Sequence, residues 1–229
     1  MRFDSVTFDL DGTLLDTVAD LAEACKRMLE DVGAPPRTQA EVHSFVGKGM
    51  AVLVERCLTH EHPPTAEKLH EPPNAEALHA AIESFKHHYA AVNGKFTQIY
   101  PGVLEGLEAW KATGLKMGVV TNKPGMFTEA LLERMAMTDY FDVIVSGDTT
   151  AHKKPHPEPI LHACRIFGVR PDRNLHIGDS KHDIHAAHAA GCQAYCVPYG
   201  YNEGEPVKAE DCDALVGDLG GALLIARKG

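Results

Sequence analysis

Six short β-rich runs, each stopping at polar or turn-forming residues, set the strongest limit on what this chain can fold into. They are VTFDLD from Val6, KMGVVTN from Lys116, DVIVSGD from Asp142, NLHIGD from Asn174, QAYCVP from Gln193 and DALVGD from Asp213. Helical patterns separate the later runs, for example Phe127 to Met135 and Glu158 to Phe167. Strands alternating with helices build a parallel sheet covered on both faces, so the expected fold is α/β, a doubly wound parallel sheet. Ligands of such sheets bind outside the carboxyl ends of the strands, where the polar endings of these runs would gather.

The long gap between the first run and the second, about 16 to 97, contains helical patterns without strands. TVADLAEACKRMLEDVG places Val18, Leu21, Ala22, Cys25, Met28, Leu29 and Val32 on one helical face, with Gly33 as the stop. Thr38 and Glu41 form a capping-box signature for a second helix. MAVLVERCL predicts a third, and Leu78, Ile82, Phe85, Tyr89 and Val92 line a fourth. THEHPPTAEKLHEPP, residues 59 to 73, reads as a surface loop. The 229 residues, 44% of them hydrophobic, suffice for one domain plus an insertion. The expected division is a core of residues 1–15 and 97–229 and an all-helical cap of residues 16–96.

A net charge of -10 argues against a nucleic-acid surface. The amino terminus carries Asp4, Asp9 and Asp11 where a signal peptide would be basic then apolar, and no apolar run approaches the ~18 residues of a membrane span. The expected setting is cytoplasmic, without a membrane partner. Six cysteines, Cys25, Cys57, Cys164, Cys192, Cys196 and Cys212, lack CxxC pairs and read as reduced thiols. His182, His185 and His188 recur every three residues, but no spacing completes a tetrahedral zinc set.

The first run carries the chemistry. In an extended segment Asp9 and Asp11 share the parity of Thr7, while Val6, Phe8 and Leu10 point the other way, so both carboxylates can face one site. Gly12 permits a tight turn, and Thr13 and its neighbours can offer N–H groups to an anion. Two carboxylates at an apolar strand end are costly unless a cation or hydrogen bonds offset their repulsion.

DLDGT, Asp9 to Thr13, resembles the first motif of the haloacid dehalogenase (HAD) superfamily, and three further motifs follow in order. VVTN brings Thr121 and Asn122, KKPHPEP brings Lys154 before Pro155, and GDSKHD brings Gly178, Asp179, Ser180 and Asp183. The resemblance implies Asp9 as the nucleophile that carries an aspartyl-phosphate and Asp11 as general acid and then base. Thr121 would bond a phosphoryl oxygen, with Gly12, Thr13 and Asn122 in the same phosphate site. Lys154, rather than neighbouring Lys153, would neutralise Asp9 and the transition state. Asp9, the carbonyl of Asp11 and Asp179 would hold Mg²⁺, supported by Asp183.

Asp11 favours phosphate-ester chemistry over dehalogenation. The helical insertion resembles a type-one cap that closes over the site. Within it FVGKGM sets Gly47, Lys48 and Gly49 where related enzymes place a specificity loop, and Lys48 could pair with a second anionic group on the substrate. VGKGMAVLVERCL, KKPHPEP and YGYNEGEP resemble the bacterial 2-phosphoglycolate phosphatases of the superfamily. The implied partner is a small phosphorylated organic acid. A broad-specificity or sugar-phosphate phosphatase and a phosphosugar mutase remain open as alternatives.

Overall fold

The computed structural model describes residues 2–59 and 73–228. Its main sheet has six parallel strands, β1 (Ser5–Phe8), β4 (Lys116–Val120), β5 (Val143–Val145), β6 (Asn174–Gly178), β7 (Gln193–Cys196) and β8 (Ala214–Leu215). Their spatial order is β5-β4-β1-β6-β7-β8. All six expected runs are therefore strands of one sheet. β1 lies at its centre, paired with β4 on one side and β6 on the other. The chain thus winds outward through β4 and β5, then crosses to the far side of β1, and the strand order reverses beside the end of β1.

Helices cover both faces. α5 (Val103–Lys111), α6 (Gly125–Arg134) and α9 (Leu219–Lys228) pack on the face that Val6 and Phe8 present, around the fully buried Trp110. α7 (Glu158–Phe167) and α8 (Lys181–Ala190) cover the other face with Val120, Val145 and Cys196. Ser5 and Thr7, on the second face of β1, are buried polar groups, and they are satisfied laterally. Ser5 Oγ donates to Asn174 Oδ1 at 2.8 Å, and Thr7 Oγ1 lies 3.0 Å from His176 Nδ1.

Residues between the first two strands of this sheet form α1 (Val18–Asp31), α2 (Gln39–Phe45), α3 (Met50–Thr59) and α4 (Ala75–Val92). Their apolar faces share a separate core built on Leu21, Met28, Phe85 and Tyr89, joined by Phe127 and Tyr201. The Thr38–Glu41 capping box forms as expected. Val32 does not follow its helical face inward: α1 ends at Asp31 and Val32 is exposed. Of the expected surface loop, residues 60–72 lie outside the described residues, and Thr59 is instead the buried last residue of α3.

One expectation needs correction. The segment is bounded by a pair of two-residue strands that periodicity could not reveal, β2 (Leu15–Asp16) and β3 (Gln98–Ile99), which run antiparallel. Two residues show no alternation, and this pairing is made by closure of the loop rather than by local propensity. Buried Asp20 completes the closure: its carboxylate accepts from the backbone N–H groups of Gly94 (2.8 Å), Phe96 (2.8 Å) and Thr97 (3.1 Å) and from the Thr97 hydroxyl. Among the described residues no helix is long and apolar enough to cross a membrane.

Candidate active site

The carboxyl ends of β1, β4 and β6 bring Asp9, Thr121 and Asp179 together one residue beyond each strand. Asp9 N–H and Thr121 N–H still bond to Ile177 and Val145 carbonyls at 2.9 Å, so sheet pairing fixes the backbone of both. Lys154 enters from the segment after β5 and is almost wholly buried. Its ammonium lies among three oxygens: Val120 O at 2.7 Å, Asp183 Oδ1 at 2.6 Å and Asp9 Oδ1 at 2.8 Å. The last is an ion pair set off the hydrogen-bonding angle, so Asp9 Oδ1 receives charge but no aligned donor. Lys153 is exposed; of the two candidate lysines it is Lys154 that the fold turns inward.

Ser180 caps α8, and Asp183, the third residue of the helix, returns the capping-box bond. Its Oδ2 takes the Ser180 hydroxyl at 2.6 Å, and its Oδ1 faces Lys154 and, at 3.1 Å, His176 Nε2. Burial opposes ionisation of Asp183, but Lys154 and His176 outweigh it and hold the carboxyl far below its ordinary range. Burial in turn pushes the pKa of His176 down, against the pull of Asp183. Both Asp183 oxygens accept from protein donors, and the carboxylate anchors the lysine that faces Asp9.

Asp179 is held differently. Thr13 Oγ1 donates to its Oδ1 at 3.0 Å and Tyr201 N–H to its Oδ2 at 2.7 Å. Gly12, at φ +92°, and Gly200 press so close that a Cβ on either would lie 2.4 Å and 2.2 Å from that Oδ2. The Thr13 side chain orients Asp179. Oxygens of Asp9, Asp179 and Asp183 lie within 4.8 Å of one another. Burial, then the neighbouring Asp183, pushes the Asp179 carboxyl well above its ordinary range, joined by Asp9. Burial likewise pushes Asp9 up to about 7, against the pull of Lys154. A divalent cation fits this donor set: it is hard oxygen, crowded and short of positive charge.

Asp11 is the end of a second ion pair that sequence reasoning missed. Lys123 Nζ lies 2.9 Å from Asp11 Oδ1, which also accepts from Thr17 Oγ1 at 2.6 Å. Lys123 donates as well to Tyr89 Oη of α4, at 2.5 Å. Burial works against the Lys123 charge, yet Asp11 and Tyr89 prevail and raise its pKa. A signal was present in the sequence: Lys123 precedes Pro124, the same lysine-before-proline pattern that singled out Lys154. Tyr201, another omission, reaches from YGYNEGEP to accept Thr17 N–H at 2.6 Å and bond Asp16 at 3.0 Å.

Asn122 braces the site. Its amide donates to Gly47 O and Lys154 O, both at 3.0 Å, and accepts Lys154 N–H at 2.9 Å. Gly47 and Gly49 line a cavity together with Asp9, Asp11, Thr121 and Lys123, and with the apolar Met50, Phe85 and Phe127. Lys48 turns elsewhere: its ammonium lies 3.5 Å from Glu203, which Arg56 and His182 also approach at 2.7 Å.

The family model for haloacid dehalogenase-like hydrolases matches residues 6–197. A phosphoglycolate phosphatase of Thiobacillus denitrificans is 44% identical over 224 residues, covering 98% of this chain and 96% of the relative. A second, from Nitrosospira multiformis, is 43% identical with the same coverage. The crystal structure of a predicted phosphoglycolate phosphatase from Haemophilus somnus superposes with a TM-score of 0.89 at 33% identity, covering 99% of both chains.

Proposed function

This chain belongs to the haloacid dehalogenase-like hydrolases, and from that premise we propose that it cleaves a phosphate monoester by way of Asp9, with 2-phosphoglycolate as substrate. One arrangement carries the reading: buried Asp9 faces the Lys154 ammonium at 2.8 Å, with Asp11 beside it and the cavity in front. In this reading Asp9 attacks phosphorus, the ester oxygen leaves with a proton from Asp11, and an aspartyl-phosphate forms. Water then attacks phosphorus, Asp11 takes a proton from it, and phosphate leaves with the Asp9 carboxylate restored. Thr121 offers its hydroxyl to a phosphoryl oxygen. Lys154, held from behind by Asp183, keeps its positive charge next to the charge that moves onto phosphoryl oxygens.

Asp9, Asp179 and the Asp11 carbonyl would hold Mg²⁺, with Asp183 behind them. When bound, the ion neutralises the carboxylates and the phosphoryl oxygens. We take residues 1–15 and 97–229 as the catalytic core and α1 to α4, within residues 16–96, as a lid that carries Gly47 and Gly49 to the substrate. The separate core of α1 to α4 and their narrow β2–β3 connection support that division.

The test is phosphate release from 2-phosphoglycolate, hexose phosphates and a simple aryl phosphate, each with Mg²⁺ and with chelator. Strong preference for phosphoglycolate, lost with chelator, is expected. Comparable slow release from all would discard the named substrate, and an isomeric sugar phosphate in place of free phosphate would indicate a mutase.

A further inference from the structure

The organic half of the substrate has to sit in the cavity beyond Asp9, and most of that wall is apolar: Leu21, Met50, Leu53, Phe85 and Phe127. A carboxylate entering such a space loses hydration and needs a charged, hydrogen-bonding partner in return. Lys123 is the only cation among the described residues of this lining. An ammonium has three N–H donors. Two are taken, by Asp11 Oδ1 at 2.9 Å and Tyr89 Oη at 2.5 Å; the ammonium also lies 4.8 Å from the centre of the Tyr89 ring, but its third N–H has no hydrogen-bond acceptor among the described residues. Tyr89 is in the complementary condition. Its oxygen accepts from Lys123, and its own O–H has no acceptor among the described residues. Two unspent donors therefore lie side by side at the cavity wall, one from the turn after β4 and the other from α4.

We propose that Lys123 and Tyr89 form the subsite for the carboxylate of a small phosphorylated acid. This rests on the reading of the substrate given above and replaces the expectation that Lys48 supplies the charge. Lys48 pairs with Glu203 and does not line the cavity, whereas Lys123 is almost wholly buried in it. The position also sets a length. Lys123 is in contact with Asp11, the group assigned to the leaving oxygen, so the ammonium reaches a carboxylate that one carbon separates from that oxygen. A longer acid would carry its carboxylate past both donors into the apolar wall. The same contact makes Lys123 hold Asp11 in place, so loss of the lysine weakens turnover of every ester; the carboxylate subsite is read from a ratio.

The experiment compares kcat/KM for 2-phosphoglycolate and for ethyl phosphate, in which a methyl group replaces the carboxylate, in the wild type, Lys123→Met and Tyr89→Phe. Lys123→Met should shrink the ratio by roughly 10- to 100-fold, the worth of a charge-assisted hydrogen bond in a buried site. Tyr89→Phe, which removes a single hydroxyl and keeps the ring packing, should shrink it by roughly fivefold, the worth of a neutral hydrogen bond. A high wild-type ratio that both variants preserve would overturn the subsite and leave the substrate reading standing. If Lys123→Met does not fold, an unchanged ratio in Tyr89→Phe overturns the paired clamp. A wild-type ratio near one, with phosphate released from both esters, would overturn the substrate reading itself and the subsite with it.

Discussion

Asp183 Oδ1 lies 2.6 Å from the Lys154 ammonium, with both side chains almost wholly buried. The pair makes the lysine a fixture of the fold before any substrate arrives. Removing one partner of a buried ion pair strands the other, and Asp183→Asn should cost about 3 kcal/mol in urea unfolding. The pH dependence should change with it. A carboxyl held below its unfolded pKa adds stability that is complete above the unfolded value and is lost as pH falls. The wild type should therefore lose stability from about pH 4 downward faster than the variant. Parallel acid limbs would mean that the pair contributes nothing net.

Asp9→Asn keeps the shape of the site and removes the nucleophile. Phosphate release should fall by roughly 1,000-fold or more, as for other covalent catalysts stripped of the attacking group. Near-wild-type turnover by the purified variant would remove Asp9 from that role.

Metal binding should grow more effective as pH rises. Asp9 and Asp179 are carboxyls raised by burial, Asp9 to about 7, so in chelator each stabilises the fold while protonated, and that contribution disappears as pH rises through the folded pKa. Mg²⁺ competes with those protons. The Tm gain on adding Mg²⁺ should thus be small at pH 5 and larger by several degrees at pH 8, on the scale of roughly 2–4 °C per kcal/mol for a chain of this size. An equal gain at both values would place the ion away from these carboxylates.

Asp20 should matter for stability without touching the chemistry. Its carboxylate gathers three backbone N–H groups and a hydroxyl where the chain returns from α4 to β3. Asp20→Ala leaves buried donors without partners and should cost about 3 kcal/mol. A change of only a few tenths in the unfolding free energy would show that water replaces the carboxylate at no cost.

Much of the site was legible because motifs at strand ends are local. Parity along VTFDLD aligned Asp9 with Thr7 and against Phe8, and the sheet bears this out: Phe8 joins the core of one face while Thr7 bonds toward His176 on the other. The capping box at Thr38 and the helix from Glu158 to Phe167 were likewise readable from adjacent residues. What escaped were pairings across distance. Lys123 meets Asp11 from 112 positions away, Tyr201 meets Thr17 from 184, and Asp20 meets Thr97 from 77.

The amino-acid order by itself determined the alternation of strand and helix, the carboxylates at the end of β1 and the family to which the chain belongs, since periodicity and short motifs act within a few residues. Only the tertiary structure decided which lysine faces which carboxylate. Charges choose partners by burial and distance, and so Lys154 went to Asp9 and Asp183, Lys123 to Asp11, and Lys48 to Glu203 at the edge of the site.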